Sequence, residues 1–406
     1  MNQAYEKFLA YGFVPDPVQA ARTAEWIGDV LAEKGGQYKN ERSSFELIDS
    51  LFKNLVKNML DRANNGLILG LSAGFDSRPL LYYLKQKGLD VSTYTFGQSG
   101  NLDFDFTRQL IAREYLADNN FINTASAGWS LPVFDAAALE NPDLPISPRV
   151  LAADWVRSRF GSEIELHGYL NGVLTGGNLE SGISDDWSQA LERFIDKNNF
   201  FGWQKNLLAR GEGFPGRPPL PMSLLGYDDQ LDIFFKQAQR IRLSDDHYLF
   251  PYEDEDWIAF WLTRPFTERV GQRLWIWFIK QLESPLFVDV AASAALDKKA
   301  LRRDRLNEQY GSTKGFPLGD PRLGGLVPPH NPTQHFSLYA CFMNNESFRL
   351  FCSALLDRTR CRGIVAPSVV ESVQQRFIAG DREAEKQLNG ILSLDLMVHR
   401  DPGAQG

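Results

Sequence analysis

The chain has 406 residues, of which 43% are hydrophobic, which is enough for one large domain or two with an ample core. Its formal net charge of -8 at pH 7 disfavours a general nucleic-acid binder. No apolar run approaches the roughly 18 residues that a membrane span needs, and the start of the chain lacks the pattern of a signal peptide. The three cysteines, Cys341, Cys352 and Cys361, include no C-x-x-C pair, which disfavours a disulfide or zinc scaffold. We therefore expect a soluble, cytoplasmic protein.

The first half of the chain alternates helix and strand patterns. Apolar residues at helical spacing predict helices, and short continuous apolar runs predict strands that are buried on both faces. In chain order these are helices over 20–33 and 43–62, a strand over 67–71, a helix around 80–84, a strand over 91–97, a helix over 106–115 and a strand over 163–167. The alternation predicts an α/β fold with a doubly wound parallel sheet, in which ligands bind at the carboxyl ends of the strands.

The second half is rich in helix patterns and aromatic residues, and it predicts a large helical C-terminal part. Aromatic side chains at helical spacing are interpreted as core. A proline- and glycine-rich linker over 211–221 interrupts the pattern, and two helices are predicted over 257–263 and 267–282. The acidic run 253–256 is interpreted as the negative first turn of a helix, with metal binding as the alternative.

One loop, residues 72–77, lies between the first predicted strand and the following helix. Small residues in such a loop let several backbone N–H groups converge on one point at a helix N-terminus, which favours phosphate binding. The loop contains neither the Walker A sequence nor the glycine pattern of dinucleotide-binding proteins. An ordinary turn between strand and helix, capped by Asp76 or Ser77, is the alternative interpretation.

The same loop resembles the S-G-G-x-D-S pyrophosphate loop of the ATP pyrophosphatases, enzymes that cut ATP between the α- and β-phosphates. Ser72, Gly74, Asp76 and Ser77 match that pattern, and Ala73 replaces its second position. The resemblance implies that hydroxyl and amide groups of the loop hold the leaving pyrophosphate and that Asp76 binds Mg²⁺.

Four further segments, in the same order, resemble the synthetase domain of the class B asparagine synthetase family, which includes β-lactam synthetase and the lasso-peptide cyclases. Residues 94–97 are similar to the family's Y-T-F-G, 168–177 stand at the place of G-D-G-x-D-E-L-F-G-G, 251–254 are similar to P-F-L-D, and 314–316 are similar to the lysine loop. The resemblance implies the PP-loop fold, which is similar to that of the adenine nucleotide α-hydrolases.

This resemblance also implies a division of the chain. Residues 1–42 would be a segment related to the linker of a missing glutaminase domain, 43–400 the ATP-pyrophosphatase domain, and 401–406 a tail. No cysteine precedes Cys341, so the glutaminase nucleophile is missing and glutamine-dependent asparagine synthesis is disfavoured.

The resemblance further implies an ATP site and catalytic residues. The implied ATP-binding residues lie in the loop and at neighbouring strand ends: Leu71, Ser72, Gly74, Asp76, Ser77, Phe96, Gly97 and Gly168. Lys314 would reach the α-phosphate and the tetrahedral intermediate, with an exposed loop lysine as the alternative. Tyr169 stands where asparagine synthetases have a glutamate base and where β-lactam synthetase also has tyrosine. It would be held by a carboxylate or by His247, for which a structural role is the alternative.

The glycine-rich segment departs from the family at its metal ligands. Gly172 and Val173 stand where the family has acidic residues. A second ligand for Mg²⁺ would then come from elsewhere, with Asp185 and Asp186 as the candidates.

These features together predict an ATP-dependent, AMP-forming amide ligase or cyclase with ATP and Mg²⁺ as cofactors. It would adenylate a carboxylate and transfer the acyl group to an amine, on small-molecule, peptide or sugar-acid substrates of specialised metabolism. A partner biosynthetic enzyme or a homodimer is compatible with this chemistry. The alternative is a degenerate member that binds a nucleotide or a partner without catalysis. A tRNA-thiolating pyrophosphatase is disfavoured, because it would need a basic surface and active-site cysteines.

Overall fold

The computed structural model describes residues 3–63, 66–72, 74–101, 104–105, 107–108, 119–132, 155–156, 158–161, 164–179, 184–199, 201–202, 213–238, 248–288, 325–327 and 337–400. Several predicted features lie outside these ranges. They include the catalytic candidates Lys314 and His247, the second loop residue Ala73, and the tail 401–406. The structure therefore bears on the rest of the 72–77 loop and on the strand ends around it.

Among the described residues, five parallel strands form one sheet. They are β1 Leu67–Gly70, β2 Ser92–Gly97, β3 Asn119–Asn123, β4 Ile164–Leu166 and β5 Tyr248–Leu249. Their order is β3-β2-β1-β4-β5, so β1 lies at the centre, with Leu69 opposite Thr93 of β2 and Leu166 of β4. Because every pair is parallel, all five carboxyl ends lie at one edge. The predicted parallel α/β sheet is confirmed.

Helices account for most of the remaining described residues. Those up to residue 200 are α1 Gln3–Tyr11, α2 Pro17–Glu33, α3 Gly35–Lys39, α4 Phe45–Arg62, α5 Ser77–Gln86, α6 Asn171–Leu174 and α7 Trp187–Lys197. Next come α8 Tyr227–Gln230, which continues as a π-helix over Leu231–Gln237, and then α9 Glu255–Thr263, α10 Phe266–Arg269, α11 Arg273–Gln281 and α12 Pro285–Val288. The C-terminal helices are α13 Leu338–Asn344, α14 Glu346–Arg362, α15 Pro367–Ile378 and α16 Arg382–Arg400. In the described part of the chain, no helix has the length and apolarity to cross a membrane.

Local sequence signals set the ends of the predicted helices. Asp16 caps α2, since its Oδ1 accepts two first-turn N–H groups at 2.9 and 3.0 Å. Asp254 caps α9 by accepting the N–H of Trp257 at 3.1 Å, and Glu255 and Asp256 follow in the first turn. The acidic run is therefore the negative start of a helix, as interpreted from the sequence.

Both faces of the sheet are buried. On one face, Leu69 and Leu166 pack into the main core together with α2, α4, α5, α9 and α11. On the other face, Ile68, Tyr94 and Ile122 belong to a smaller core. Burial on both faces explains why the first strand is a continuous apolar run rather than an alternating one.

A second core joins the C-terminal helices to α1. It includes Phe8 and Leu355, both of which are fully buried. Asn345 connects this helical part to the sheet, because its Nδ2 donates to the carbonyl oxygens of Thr124 and Ala127 at 2.9 Å each. The predicted helical C-terminal part is confirmed, and it packs against the segment that follows β3.

Three elements differ from the sequence-based expectation. The helix predicted over 267–282 is broken between α10 and α11, because Gly271 and Gln272 have φ of 63° and 60°. The sequence pattern does not predict β3, whose residues are mostly polar, or β5, which has two residues. Neither strand has the apolar run on which the prediction depends.

Candidate active site at the carboxyl edge of the sheet

The predicted loop begins where β1 ends, at the centre of the sheet. Leu71 holds this point through both of its backbone groups. Its N–H donates to the carbonyl of Tyr94 at 2.8 Å, and its carbonyl accepts from Oγ1 of Thr95 at 2.8 Å. The chain after Leu71 therefore leaves the sheet from a fixed position beside the end of β2.

Two serine hydroxyls face each other across the loop. Oγ of Ser77 accepts the N–H of Ser72 at 3.1 Å and lies 3.2 Å from Oγ of Ser72. Oγ of Ser72 also accepts the N–H of Gly74 at 3.1 Å. Asp76, at the N-cap position of α5, makes no side-chain capping bond. The loop is thus closed by the serine pair and not by either of the helix caps considered above.

Arg78, the second residue of α5, is buried against this loop, and the sequence pattern does not predict it. Its side chain is fully buried, its Nε donates to the carbonyl of Gly74 at 3.2 Å, and its Nη1 donates to the carbonyl of Leu286 at 2.8 Å. The guanidinium also lies over the ring of Phe75, 4.7 Å from its centroid. An arginine at the second position of a helix carries no sequence signal for burial. In the fold it brings a positive charge against the loop.

The side chain of Asp76 is held by a chain of hydrogen bonds. Nε1 of Trp257 donates to Oδ1 of Asn171 at 3.1 Å, and Nδ2 of Asn171 donates to Oδ1 of Asp76 at 2.9 Å. Because the indole N–H is only a donor, it fixes which end of the Asn171 amide faces the carboxylate. Burial raises the pKa of Asp76 to about 6, and the Asn171 hydrogen bond acts in the opposite direction.

Segments that follow β4 and β5 also meet at Asp76. Oη of Tyr252 donates to the Asp76 carbonyl at 2.6 Å. A Cβ atom at Gly168 would lie 3.0 Å from Cβ of Asp76 and 3.1 Å from N of Ser77, so only glycine fits there without a shift of the backbone. Segments that follow three neighbouring strands therefore converge on Asp76, at the edge of the sheet where parallel sheets bind ligands.

The metal-binding capacity of this site depends on one oxygen. Oδ1 of Asp76 accepts from Asn171, and a Cβ at Gly172 would lie 3.5 Å from Oδ2. Asp185 and Asp186 are exposed, and Asp186 caps α7 through the N–H of Gln189 at 2.9 Å. Within the described residues, no group of three or more His, Cys, Asp or Glu side chains is placed to hold a metal. Mg²⁺ binds proteins through one or two carboxylates plus substrate phosphates, so a single carboxylate oxygen fits a nucleotide-bound ion.

The glycine-rich segment after β4 is clamped by a buried ion pair. Arg269 makes two hydrogen bonds to Asp229, at 2.7 and 2.8 Å, and donates from Nε to the carbonyl of Leu174 at 2.9 Å. Gly176, with φ of 87°, lets the segment approach this arginine, since a Cβ there would lie 2.3 Å from the Arg269 carbonyl oxygen. Gln272 adds a bond from Nε2 to Oγ1 of Thr175 at 2.7 Å. The clamp fixes the part of the segment that follows the residues facing Asp76.

Tyr169 and the end of β2 complete the set of predicted residues. Oη of Tyr169 donates to the carbonyl of Gln237 at 2.5 Å, at the end of the π-helix, and its ring meets Phe250 edge-on with centroids 5.5 Å apart. Phe96 is half-buried, and Gly97 has φ of 148° with Phe104 so close that a Cβ would lie 2.8 Å from it. The structure thus brings Leu71, Ser72, Gly74, Asp76, Ser77 and Gly168 together, with Phe96 and Gly97 on the next strand of the same edge.

A scan against protein-family models and a search of curated proteins both find no match for this chain. The residues at the carboxyl edge of the sheet, and their chemistry, are therefore the basis on which a function is assigned.

Proposed function

We propose that this protein is an ATP-dependent, AMP-forming amide ligase or cyclase with a PP-loop fold. The observation that carries the proposal is the loop after β1, where Ser72 and Ser77 face each other and Asp76 is partly buried with a raised pKa. Hydroxyls, helix N-terminal amides and one carboxylate at the carboxyl end of a parallel strand suit a polyphosphate with its cation.

The loop supplies the groups that would hold the leaving pyrophosphate. The Ser72 and Ser77 hydroxyls, which bond to each other in this structure, would turn to the phosphate oxygens. The N-terminus of α5 and the buried Arg78 add positive potential at the same place. Charge on the leaving group would be stabilised by preorganised donors, which is the largest single contribution in many enzymes.

Asp76 would hold Mg²⁺ through its Oδ2. The ion would supply neutralisation of the phosphate charge when it is bound. Asn171 keeps the carboxylate in one orientation through Oδ1, so Oδ2 remains on the side of Gly172. Mg²⁺ retains several water ligands in most protein sites, so one carboxylate oxygen would be enough for an ion that the phosphates also bind.

The proposed reaction has two steps. A substrate carboxylate attacks the α-phosphorus of ATP, the bond to the β-phosphate oxygen breaks, and pyrophosphate leaves. An amine then attacks the acyl carbon of the acyl-adenylate and expels AMP. The resemblance assigns Lys314 to the α-phosphate and to the second transition state, where a point charge is effective.

The test is ATP–pyrophosphate exchange and AMP formation with Mg²⁺, ATP and pools of amino acids, sugar acids and small amines. We expect exchange in the wild type and its loss in Asp76→Ala and Lys314→Ala. Asp16→Asn, a change at a distant helix cap that asparagine also makes well, is the matched control. Formation of ADP instead of AMP would contradict the proposed mechanism.

A second candidate function is nucleotide binding without catalysis. The observation that favours it is the glycine at position 172, which leaves Asp76 as the carboxylate at the loop among the described residues. Calorimetric binding of ATP with no exchange in any substrate pool, in the wild type as in Asp76→Ala, would support this candidate over the ligase.

A further inference from the structure

A buried polar cluster, which the sequence reasoning did not identify, lies on the other face of the sheet at the same edge. Glu165 of β4 is buried, and its Oε1 accepts the hydroxyl of Tyr94 from β2. The same oxygen lies 2.7 Å from Nε2 of His167, off the line of a hydrogen bond. A carboxylate inside a sheet is costly unless it is paired, so this arrangement needs a physical reason.

Gly70 makes the connection across the sheet sterically feasible. Tyr94 lies two strands away from Glu165, with β1 between them. A Cβ at Gly70 would lie 3.0 Å from Oη of Tyr94, so the tyrosine reaches over β1 only because that position has no side chain. The glycine, the tyrosine and the glutamate thus form one unit that holds the Glu165 carboxylate in place.

His167 lies beside the Glu165 carboxylate at the carboxyl end of β4. It follows β4 directly, one residue before Gly168, which abuts Asp76 and Ser77. Its ring stacks on Phe250 with centroids 5.6 Å apart, and 14% of its side chain is exposed. No described residue makes a hydrogen bond with its Nδ1. One ring nitrogen therefore faces a buried carboxylate, while the other has no protein partner in the described part of the chain.

We infer that His167, oriented by Glu165, is the general base of the acyl-transfer step; this inference rests on the proposed function. The nitrogen lone pair of the amine forms a bond to the acyl carbon, the bond from that carbon to the phosphate oxygen breaks, and AMP leaves with the electron pair. The amine proton passes to Nδ1 of His167, and the imidazolium is stabilised by Glu165 until the proton moves to water. A histidine base with a carboxylate beside its other ring nitrogen is one of the arrangements that activate nucleophiles in enzymes.

The geometry favours His167 over Tyr169 for this role. Oη of Tyr169 donates to the carbonyl of Gln237 at 2.5 Å, and a carbonyl takes no proton away from the phenol. Tyr169 would first have to lose its own proton, whereas neutral imidazole accepts one directly.

The first experiment separates the two half-reactions. Hydroxylamine is unprotonated at neutral pH, so it reacts with an acyl-adenylate without help from a base and gives a hydroxamate. The amount of hydroxamate therefore measures adenylation, whereas the amount of amide formed with the amine substrate measures the base-dependent acyl transfer. In His167→Asn we expect the ratio of amide to hydroxamate to fall by about 100-fold, the lower range for general-base catalysis. Glu165→Gln should lower it in the same direction. Tyr248→Phe, which changes a ring neighbour of His167 and keeps the pair, is the control.

The outcomes distinguish this inference from the proposed function. If the wild type forms neither hydroxamate nor exchanged ATP, the ligase proposal fails and the inference fails with it. If the wild type is active and His167→Asn lowers hydroxamate and amide equally, the ligase proposal stands and the base assignment is wrong. A larger fall of the ratio in Tyr169→Phe than in His167→Asn also overturns the assignment.

A second experiment needs no substrate. In ¹⁵N-histidine-labelled protein at alkaline pH, where imidazoles are neutral, a long-range ¹H–¹⁵N spectrum identifies the tautomer of each of the five histidines. His167→Asn assigns the resonance. We expect the proton on Nε2, facing Glu165, and an unprotonated Nδ1. A proton on Nδ1 would overturn the inference, because that atom would then have no lone pair for the amine proton.

Discussion

The partly buried, desolvated carboxylate of Asp76 gives a stability prediction that needs no ligand. An exposed aspartate has a pKa of 3.8, and burial raises that of Asp76 to about 6. At pH values between these two pKa values, the folded protein binds more protons at this position than the unfolded chain does. The contribution of Asp76 to the free energy of unfolding therefore decreases as the pH rises. The contribution is fully present below about pH 4 and absent above about pH 6. Asp76→Asn removes the charge and therefore removes this loss.

The magnitude follows from the distance between the two pKa values. Each unit of difference between the folded and unfolded pKa values corresponds to about 1.4 kcal/mol. At pH 7 and above, the free energy of unfolding of Asp76→Asn should therefore exceed that of the wild type by about 3 kcal/mol. With an unfolding entropy of about 2.1 cal/mol/K for each of 406 residues, this corresponds to about 3–4 °C in Tm. The assay is differential scanning calorimetry of wild type and variant from pH 4 to pH 8, without nucleotide or divalent cation.

The difference in Tm should be close to zero at pH 4 and reach its full value near pH 7. The control is Asp16→Asn, a partly exposed N-cap where asparagine replaces aspartate at little cost, so its change should be small throughout. A Tm difference for Asp76→Asn that is the same at every pH would refute the reasoning, because only titration of the buried carboxyl produces the pH dependence.

Three further predictions concern the same edge of the sheet. Gly168→Ala should cost about 1–3 kcal/mol and abolish ATP binding by calorimetry, because the new Cβ would meet the backbone of Asp76 at 3.0 Å. Gly172→Asp should tighten Mn²⁺ binding in titration calorimetry by about tenfold, because it places a second carboxylate beside Oδ2 of Asp76. Arg269→Ala should lower the free energy of unfolding by about 3–5 kcal/mol in urea denaturation, because the buried carboxylate of Asp229 would lose the arginine that pairs with it.

Each of these variants has a matched control. Gly172→Ala adds a Cβ at ordinary contact distance, 3.5 Å from Asp76, so it should keep ATP binding; equal losses in Gly168→Ala and Gly172→Ala would contradict the steric argument. Gly172→Ala also has no carboxylate, so it should leave Mn²⁺ affinity unchanged. Arg193→Ala breaks a half-exposed pair with Asp228 and should cost about 0–1 kcal/mol. An equal cost for Arg269→Ala would show that its pair contributes no more than a surface contact.

The sequence predicts the strands and helices that have strong periodicity. The central strand, the 72–77 loop and α5 follow from an apolar run, small residues and a helical repeat, and the structure has them at the predicted places. β3 does not follow, because a strand of mostly polar, partly exposed residues lacks that run. The break before α11 depends on the left-handed conformation of Gln272, which bonds to Thr175; this contact between distant segments has no local signal.

The candidate site is predictable in part for the same reason. The loop residues form a contiguous motif, so they stand out in the sequence. Asn171, Trp257 and Arg78 acquire their roles from contacts across the fold, and a single sequence does not reveal which asparagine will face which carboxylate. Glu165 and His167 are two residues apart, so strand alternation places them on the same face of the sheet. The contact of Tyr94 with Glu165 is not predictable in this way, because it depends on the glycine that β1 has between them.

The strand order has a consequence for how this protein is made. β2, one neighbour of the central strand β1, is synthesised soon after it. The other neighbour, β4, pairs with Leu67 of β1 through Ile164 and is synthesised much later, and β5, which begins at Tyr248, comes later still. During translation, at roughly 5–20 residues per second, one edge of β1 stays open for several seconds. The loop 72–77 is synthesised long before Gly168, Tyr252 and Trp257, which hold Asp76 in place. In a ribosome-bound nascent chain, Asp76 would thus lack these contacts until most of the chain has emerged.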